Sequence, residues 1–166
     1  MNVLFVRALF AFLALPGVVA FAVPLLAFDR TWPPAGWAWL GAIVLIIGFV
    51  IVALTIRDFY VLGRGTLAPW APPARLVVAG LYRFSRNPMY VGVLCVVLGW
   101  AILFRSAPLA LYAAGLLALF HARIIWGEEP WLARTHGSTW EVYVRAVPRW
   151  IGRRRPSVGA GPPTQP

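Results

Sequence analysis

Three observations predict an all-α, polytopic membrane fold. Hydrophobic residues make up 61% of the chain and charged residues only 12%, whereas a soluble domain carries about 25% charged residues to face water. The apolar residues gather into four runs, each near the ~20 residues that a bilayer core requires. The basic residues lie mostly in the segments that join and follow those runs, as in a membrane protein with basic loops.

The first run extends from Val3 to Phe28. Arg7 and the small-x-small sequence Ala20-Phe21-Ala22 have the form of a cleaved signal, but the apolar stretch outlasts a usual signal core. A retained helix is therefore expected, kinked at Pro16 and Pro24, which membrane helices tolerate. The second run is Trp37 to Ile56, the third Pro88 to Phe104, and the fourth Pro108 to Trp126. The third is the shortest and is expected to end at the interface. Asn87 before Pro88 is a helix start: asparagine caps free N–H groups, and proline at the first helical position loses nothing. Beyond the fourth run, Ser138-Thr139-Trp140-Glu141 has the form of a capping box, which predicts a short interfacial helix ending near Pro148. Trp131, Trp140, Tyr143 and Trp150 suit the headgroup layer. Residues 156–166 are rich in proline and glycine and are expected to be a disordered tail behind a single domain over residues 1–155.

Charge sets the expected orientation. All fifteen basic residues are arginine, and the net charge is +10. Five arginines fall between Arg57 and Arg86 and seven from Arg123 onward, against Arg30 and Arg105 in the other two loops. The positive-inside rule places the central loop and both termini in the cytoplasm. The loop at Trp32-Pro33-Pro34 and the turn Arg105-Ser106 then face outward. The expected location is thus integral to a membrane, a bacterial inner membrane. Arg153-Arg154-Arg155 can meet anionic lipid. The same distribution argues against a nucleic-acid partner. One cysteine, Cys95, excludes an internal disulfide. Together with two distant histidines it matches no metal-site spacing, so no metal is expected. Gly63-Arg64-Gly65 begins a dinucleotide-type pattern that Ala68 breaks, with no strand before it.

Two polar clusters carry the candidate chemistry. One is the stretch from Gly80 to Tyr90, the other Glu128-Glu129 just past the fourth run. Only about three residues, Arg105-Ser106-Ala107, separate the third and fourth runs. They must form an antiparallel hairpin, which returns Glu128 to the depth of Asn87. A carboxylate at a helix C-terminus is disfavoured by the dipole and wants a cation. Arg86 would serve, which is the structural reading of Glu128. His121, inside the fourth run, is an intramembrane ionisable residue and so a candidate substrate contact.

The sequence Gly80-x-Tyr82-x-x-x-Arg86-Asn87-Pro88-Met89-Tyr90, then about 37 residues, then Glu128-Glu129 resembles the isoprenylcysteine carboxyl methyltransferase and phospholipid methyltransferase group of membrane enzymes. Agreement continues through Gly137, Tyr143 and Val147-Pro148-Arg149, over roughly residues 74–151. The resemblance implies S-adenosylmethionine as cofactor and a lipophilic or membrane-associated acceptor taken from the bilayer. Carried over by position, Ala74, Arg75, Leu76, Val77, Tyr82, Asn87, Pro88, Met89, Tyr90 and Glu128 would line the cofactor site. Glu128 would face the cofactor's ammonium, and a tyrosine its sulfonium. Arg123 would face substrate, although it stands one residue out of register. Many members carry His at the position of Asn87, and His136 and Trp140 replace more usual aromatics. The alternatives are N- or S-methylation of a phospholipid or small molecule, an NADPH-dependent membrane reductase of similar architecture, and a membrane protein with no catalytic activity.

Overall fold

The computed structural model describes residues 13–27, 36–61 and 76–152. Ala74, Arg75, the start of the first apolar run, Arg153-Arg154-Arg155 and the expected tail lie outside the described residues. Every regular element among the described residues is helical. A π-wound stretch, Leu13–Ala22, leads into α1, Val23–Ala27. Then come α2, Ala38–Val61, a 3-10 turn at Gly80–Arg83, and α3, Pro88–Leu103. The chain closes with α4, Ala107–Arg123, a π-wound segment Ile124–Glu128, and α5, Glu129–Ala146.

Two helical stretches, Ala38–Asp58 and Ala107–Ala146, are long and apolar enough to cross a bilayer. Gly17–Ala27 and Pro88–Leu103 are apolar but shorter. The 24 residues of α2 give about 36 Å of helix, more than a hydrocarbon core of about 30 Å. The 16 residues of α3 give about 24 Å, as the short third run leads one to expect. On α2, the side chains of Trp39, Ile43, Ile46, Ile47, Phe49 and Val50 are exposed. Leu111, Leu117 and Leu119 of α4 are exposed as well. In water such surfaces would be an aggregation liability, whereas in lipid they meet a matching solvent.

The core lies where α3 meets its neighbours. Val93, Val96 and Val97 of α3 are buried against Ala113, Leu116 and Phe120 of α4. The buried stripe of α4, Leu109, Ala113, Leu116 and Phe120, recurs at helical spacing. The turn between them is as tight as expected. Arg105 takes a positive φ of 48°, and the Ser106 hydroxyl accepts the Leu109 N–H at 3.3 Å. Packing of α2 on α3 is closer still. A Cβ at Gly48 would lie 2.6 Å from the Val96 nitrogen, and one at Gly99 would lie 2.6 Å from the Leu45 nitrogen. Gly41 and Gly92 touch the opposite helix in the same way. Small residues bring membrane helices into backbone contact, where dispersion rather than water exclusion drives association. The first helix is tied on by two polar side chains: Trp100 Nε1 donates to the Ala20 carbonyl at 3.1 Å, and the Tyr112 hydroxyl to the Val19 carbonyl at 3.2 Å.

One expectation needs correction. Glu128 does not sit at a helix end, because winding continues from α4 through the π segment into α5. The dipole argument for a compensating cation therefore does not apply. The expected short helix is present as the second part of α5: Gly137, with a φ of 50° and a ψ of −125°, is non-helical and separates it from a first part that begins at Glu129, which the sequence did not announce. It ends at Ala146, two residues before Pro148, as expected.

Candidate functional site

One end of the bundle collects the polar residues. Asp58, near the end of α2, is buried and accepts the Leu81 N–H at 3.3 Å. Its carboxylate presses so close to Gly80 that a Cβ there would overlap Oδ2, and Gly80 has a φ of +60°. Only glycine suits that conformation and that approach. Asp58 thereby holds the turn that carries Tyr82. Tyr143 of α5 supports the same turn, its hydroxyl donating to the Tyr82 carbonyl at 2.8 Å. Burial pushes the Tyr82 phenol well above its ordinary value, reinforced by Tyr143, Asp58, Glu128 and Tyr90. Tyr82 is therefore a neutral hydrogen-bonding group, not a base.

Helix α3 begins at Pro88 as expected, but Asn87 does not cap it with its side chain. The Asn87 Nδ2 instead donates to the Arg149 carbonyl at 3.0 Å, and its backbone N–H is taken by the Ser85 hydroxyl at 3.0 Å. One turn on, the buried Tyr90 stacks on Phe120 with ring centroids 4.4 Å apart. Its hydroxyl donates to Glu128 Oε1 at 2.5 Å. Arg123 Nε donates both to that oxygen at 2.8 Å and to the Tyr90 hydroxyl at 3.0 Å. Tyr90, Arg123 and Glu128 form a closed trio at the point where the hairpin returns. Two of its members remain open to solvent, with 52% of the Arg123 side chain and 33% of the Glu128 side chain exposed.

The neighbouring carboxylate faces elsewhere. Consecutive helical residues point about 100° apart, and Glu129 meets Arg149 through two hydrogen bonds of 2.8 Å. Arg86 Nη1 reaches Glu129 at 2.9 Å. Arg86 is thus the partner of Glu129, not of Glu128, which corrects the pairing expected from sequence. Burial alone would raise the Glu129 carboxyl, but the Arg149 hydrogen bond and the charges of Arg86 and Arg149 outweigh it and hold the group below its ordinary range.

The remaining expected residues are spread about this centre. Val77 is buried, and Leu76 packs with Trp140, Tyr143 and Val147 of the chain's end. Met89 packs against the main core, and Pro88 is buried at the first helical position. His121 is exposed and stacks on Trp150 at 6.1 Å between centroids rather than joining the trio. Asp58 is the residue that sequence reasoning missed. Its signal, a lone acidic residue ending a long apolar run, is visible in the chain, but its partner lies 23 residues away.

The trio sets a carboxylate and a guanidinium side by side, backed by a tyrosine, at the end of an apolar hairpin. A family model for phospholipid methyltransferases matches residues 37–139, more than half of the 166-residue chain. The chain belongs to that family, which makes it a member of a methyltransferase family with lipid-like substrates. No curated protein and no solved structure matches it.

Proposed function

We propose that the protein is an S-adenosylmethionine-dependent methyltransferase that acts, in the manner of an isoprenylcysteine carboxyl O-methyltransferase, on a lipophilic acceptor drawn from the bilayer. The observation that carries this reading is the Tyr90–Arg123–Glu128 trio. The donor set fits the cofactor's amino-acid end: Glu128 for its ammonium and, because it shares Glu128 Oε1, Arg123 for its carboxylate in place of the substrate role expected from sequence, each by a charge-assisted hydrogen bond. Tyr82, Asn87 to Tyr90 and residues 74–77 complete the proposed lining. When bound, the cofactor supplies a methyl group already activated on a sulfonium. The residues of the chain then have to orient donor and acceptor and exclude water.

A carboxylate acceptor suits the titratable groups present. Tyr82 stays protonated, and the Glu128 oxygen in the trio is engaged by Tyr90 and Arg123. An acceptor arriving with a free lone pair needs no proton removed, whereas an amine must arrive neutral. In this reading the domain 1–155 has four spans, two long helices and two shorter apolar ones, and the arginine distribution favours the site at the cytosolic surface. The test is transfer of labelled methyl from S-adenosylmethionine to a prenylated cysteine and to an aminophospholipid by purified protein. Labelling of the prenylated carboxyl alone is the expected result. Labelling of the phospholipid amine alone would reassign the acceptor, and binding of NADPH but not S-adenosylhomocysteine would sink the reading.

A further inference from the structure

The two adjacent glutamates differ in what surrounds them. Glu128 keeps a third of its side chain open, while Glu129 is enclosed by Arg149 on both oxygens and by Arg86. The Arg86 side chain is itself only 7% exposed, and its guanidinium lies 5.6 Å from the centroid of the Trp140 ring. Around this ion cluster the end of the described chain folds back on the loop before α3. The Arg86 N–H donates to the Pro148 carbonyl at 3.0 Å and the Gly152 N–H to the Phe84 carbonyl at 3.1 Å. The Arg149 carbonyl accepts from Asn87 Nδ2 at 3.0 Å and from the Ser85 hydroxyl at 3.4 Å. Seven residues, Phe84 to Asn87 of the loop and Pro148, Arg149 and Gly152 of the chain end, thus join Glu129 in one set of contacts just before the start of α3.

We propose that Glu129 is a positioning residue rather than a cofactor ligand: with Arg86 and Arg149 it latches residues 147–152 onto residues 84–87, and so fixes the start of α3 opposite Glu128. In the latch, position 87 needs only a donor aimed at the Arg149 carbonyl. Asparagine supplies one, and so does a neutral histidine. The inference rests on the reading of Glu128 as a cofactor contact. Latch and ligand differ in their coupling, because residues that act through one network do not add when both are changed.

The experiment uses the full chain in detergent, with S-adenosylhomocysteine affinity by calorimetry and amide hydrogen exchange at Arg86 and Gly152. Glu129→Gln and Arg149→Gln should each speed exchange at those two amides roughly tenfold, as local opening does, while α3 stays protected. Each should weaken S-adenosylhomocysteine binding by a similar factor, and the double variant should bind no worse than the weaker single. Asn87→Ala should open the same amides, and Asn87→His should restore them. Because Asn87→Ala removes one hydrogen bond and no charge, it carries the test if a charge variant fails to fold. The proposal is overturned if Glu129→Gln weakens binding with both amides still protected, or if Arg149→Gln leaves affinity unchanged. If the unaltered protein binds no S-adenosylhomocysteine, the methyltransferase reading fails instead, and the exchange data still decide whether the latch exists.

Discussion

At the scale of the residue, Glu128 and Glu129 show how far a motif reads. The pair was visible in the chain, and so was its return to the depth of Asn87, because a three-residue turn permits nothing else. The partners were not visible. The sequence offered Arg86 as the cation for Glu128, whereas the structure puts Arg123 there; the choice depends on helical phase through a π segment that sequence does not announce. Glu128→Gln keeps shape and removes charge. If Glu128 holds the cofactor's ammonium, S-adenosylhomocysteine affinity falls roughly tenfold to a hundredfold, the worth of a charge-assisted hydrogen bond of about 1.5–3 kcal/mol. Thermal stability without ligand should hardly move, since an exposed ion pair contributes about 0–1 kcal/mol. Unchanged affinity with a large loss of stability would make Glu128 a structural anchor. Glu129 has a different signature. Its carboxyl is held below the ordinary range, so its stabilisation is full above the unfolded value of about 4.3 and is lost as pH falls through the lower folded value. Thermal melts should show wild type above Glu129→Gln at pH 7, with the gap closing on acidification below that window. A gap that persists or widens in acid would contradict the assignment.

At the scale of the element, the apolar runs were legible because bilayer thickness dictates their length. How the helices meet was not. Gly41 and Gly48 on α2, and Gly92 and Gly99 on α3, stand two heptad-spaced pairs apart in apolar sequence, and nothing in either run says which glycine faces which backbone. The family resemblance seen in sequence lay wholly outside α2, yet α2 supplies both this contact and Asp58. Substitution tests the packing. Gly48→Ala puts a methyl 2.6 Å from the Val96 nitrogen and 2.8 Å from the Gly92 carbonyl oxygen. Neither atom can swing aside as a side chain can, so we expect an overpacking loss of about 1–3 kcal/mol, read as a melting temperature several degrees lower. Gly115→Ala is the control: a Cβ there meets nothing within 4 Å, and alanine favours helix by up to about 1 kcal/mol. Equal effects of the two substitutions would mean that the α2–α3 approach is not what holds these helices together.

At the scale of the whole molecule, charge and geometry agree on one polar end. The start of α2 lies beside the end of α3, since Gly41 touches Leu103, and the far end of α2 places Asp58 against Gly80. Arg86, Arg123, Glu128, Glu129 and Arg149 gather at that second end. Arg105 turns the hairpin at the other. Twelve of the fifteen arginines belong to the central loop and to the stretch from Arg123 onward, and arginine excess within short loops decides which side stays in the cytosol. The polar end should therefore face the cytoplasm, where a water-soluble cofactor is found, while the apolar faces of α2 and α4 meet lipid. A reporter active only in the periplasm, fused after Trp150, should be silent, and the same reporter inserted between Arg105 and Ser106 should be active. The two insertions check each other, because a misfolded protein gives no signal at either. An active reporter after Trp150 would put the Tyr90–Arg123–Glu128 trio on the side that lacks the cofactor, and the methyltransferase reading would have to be abandoned along with the orientation.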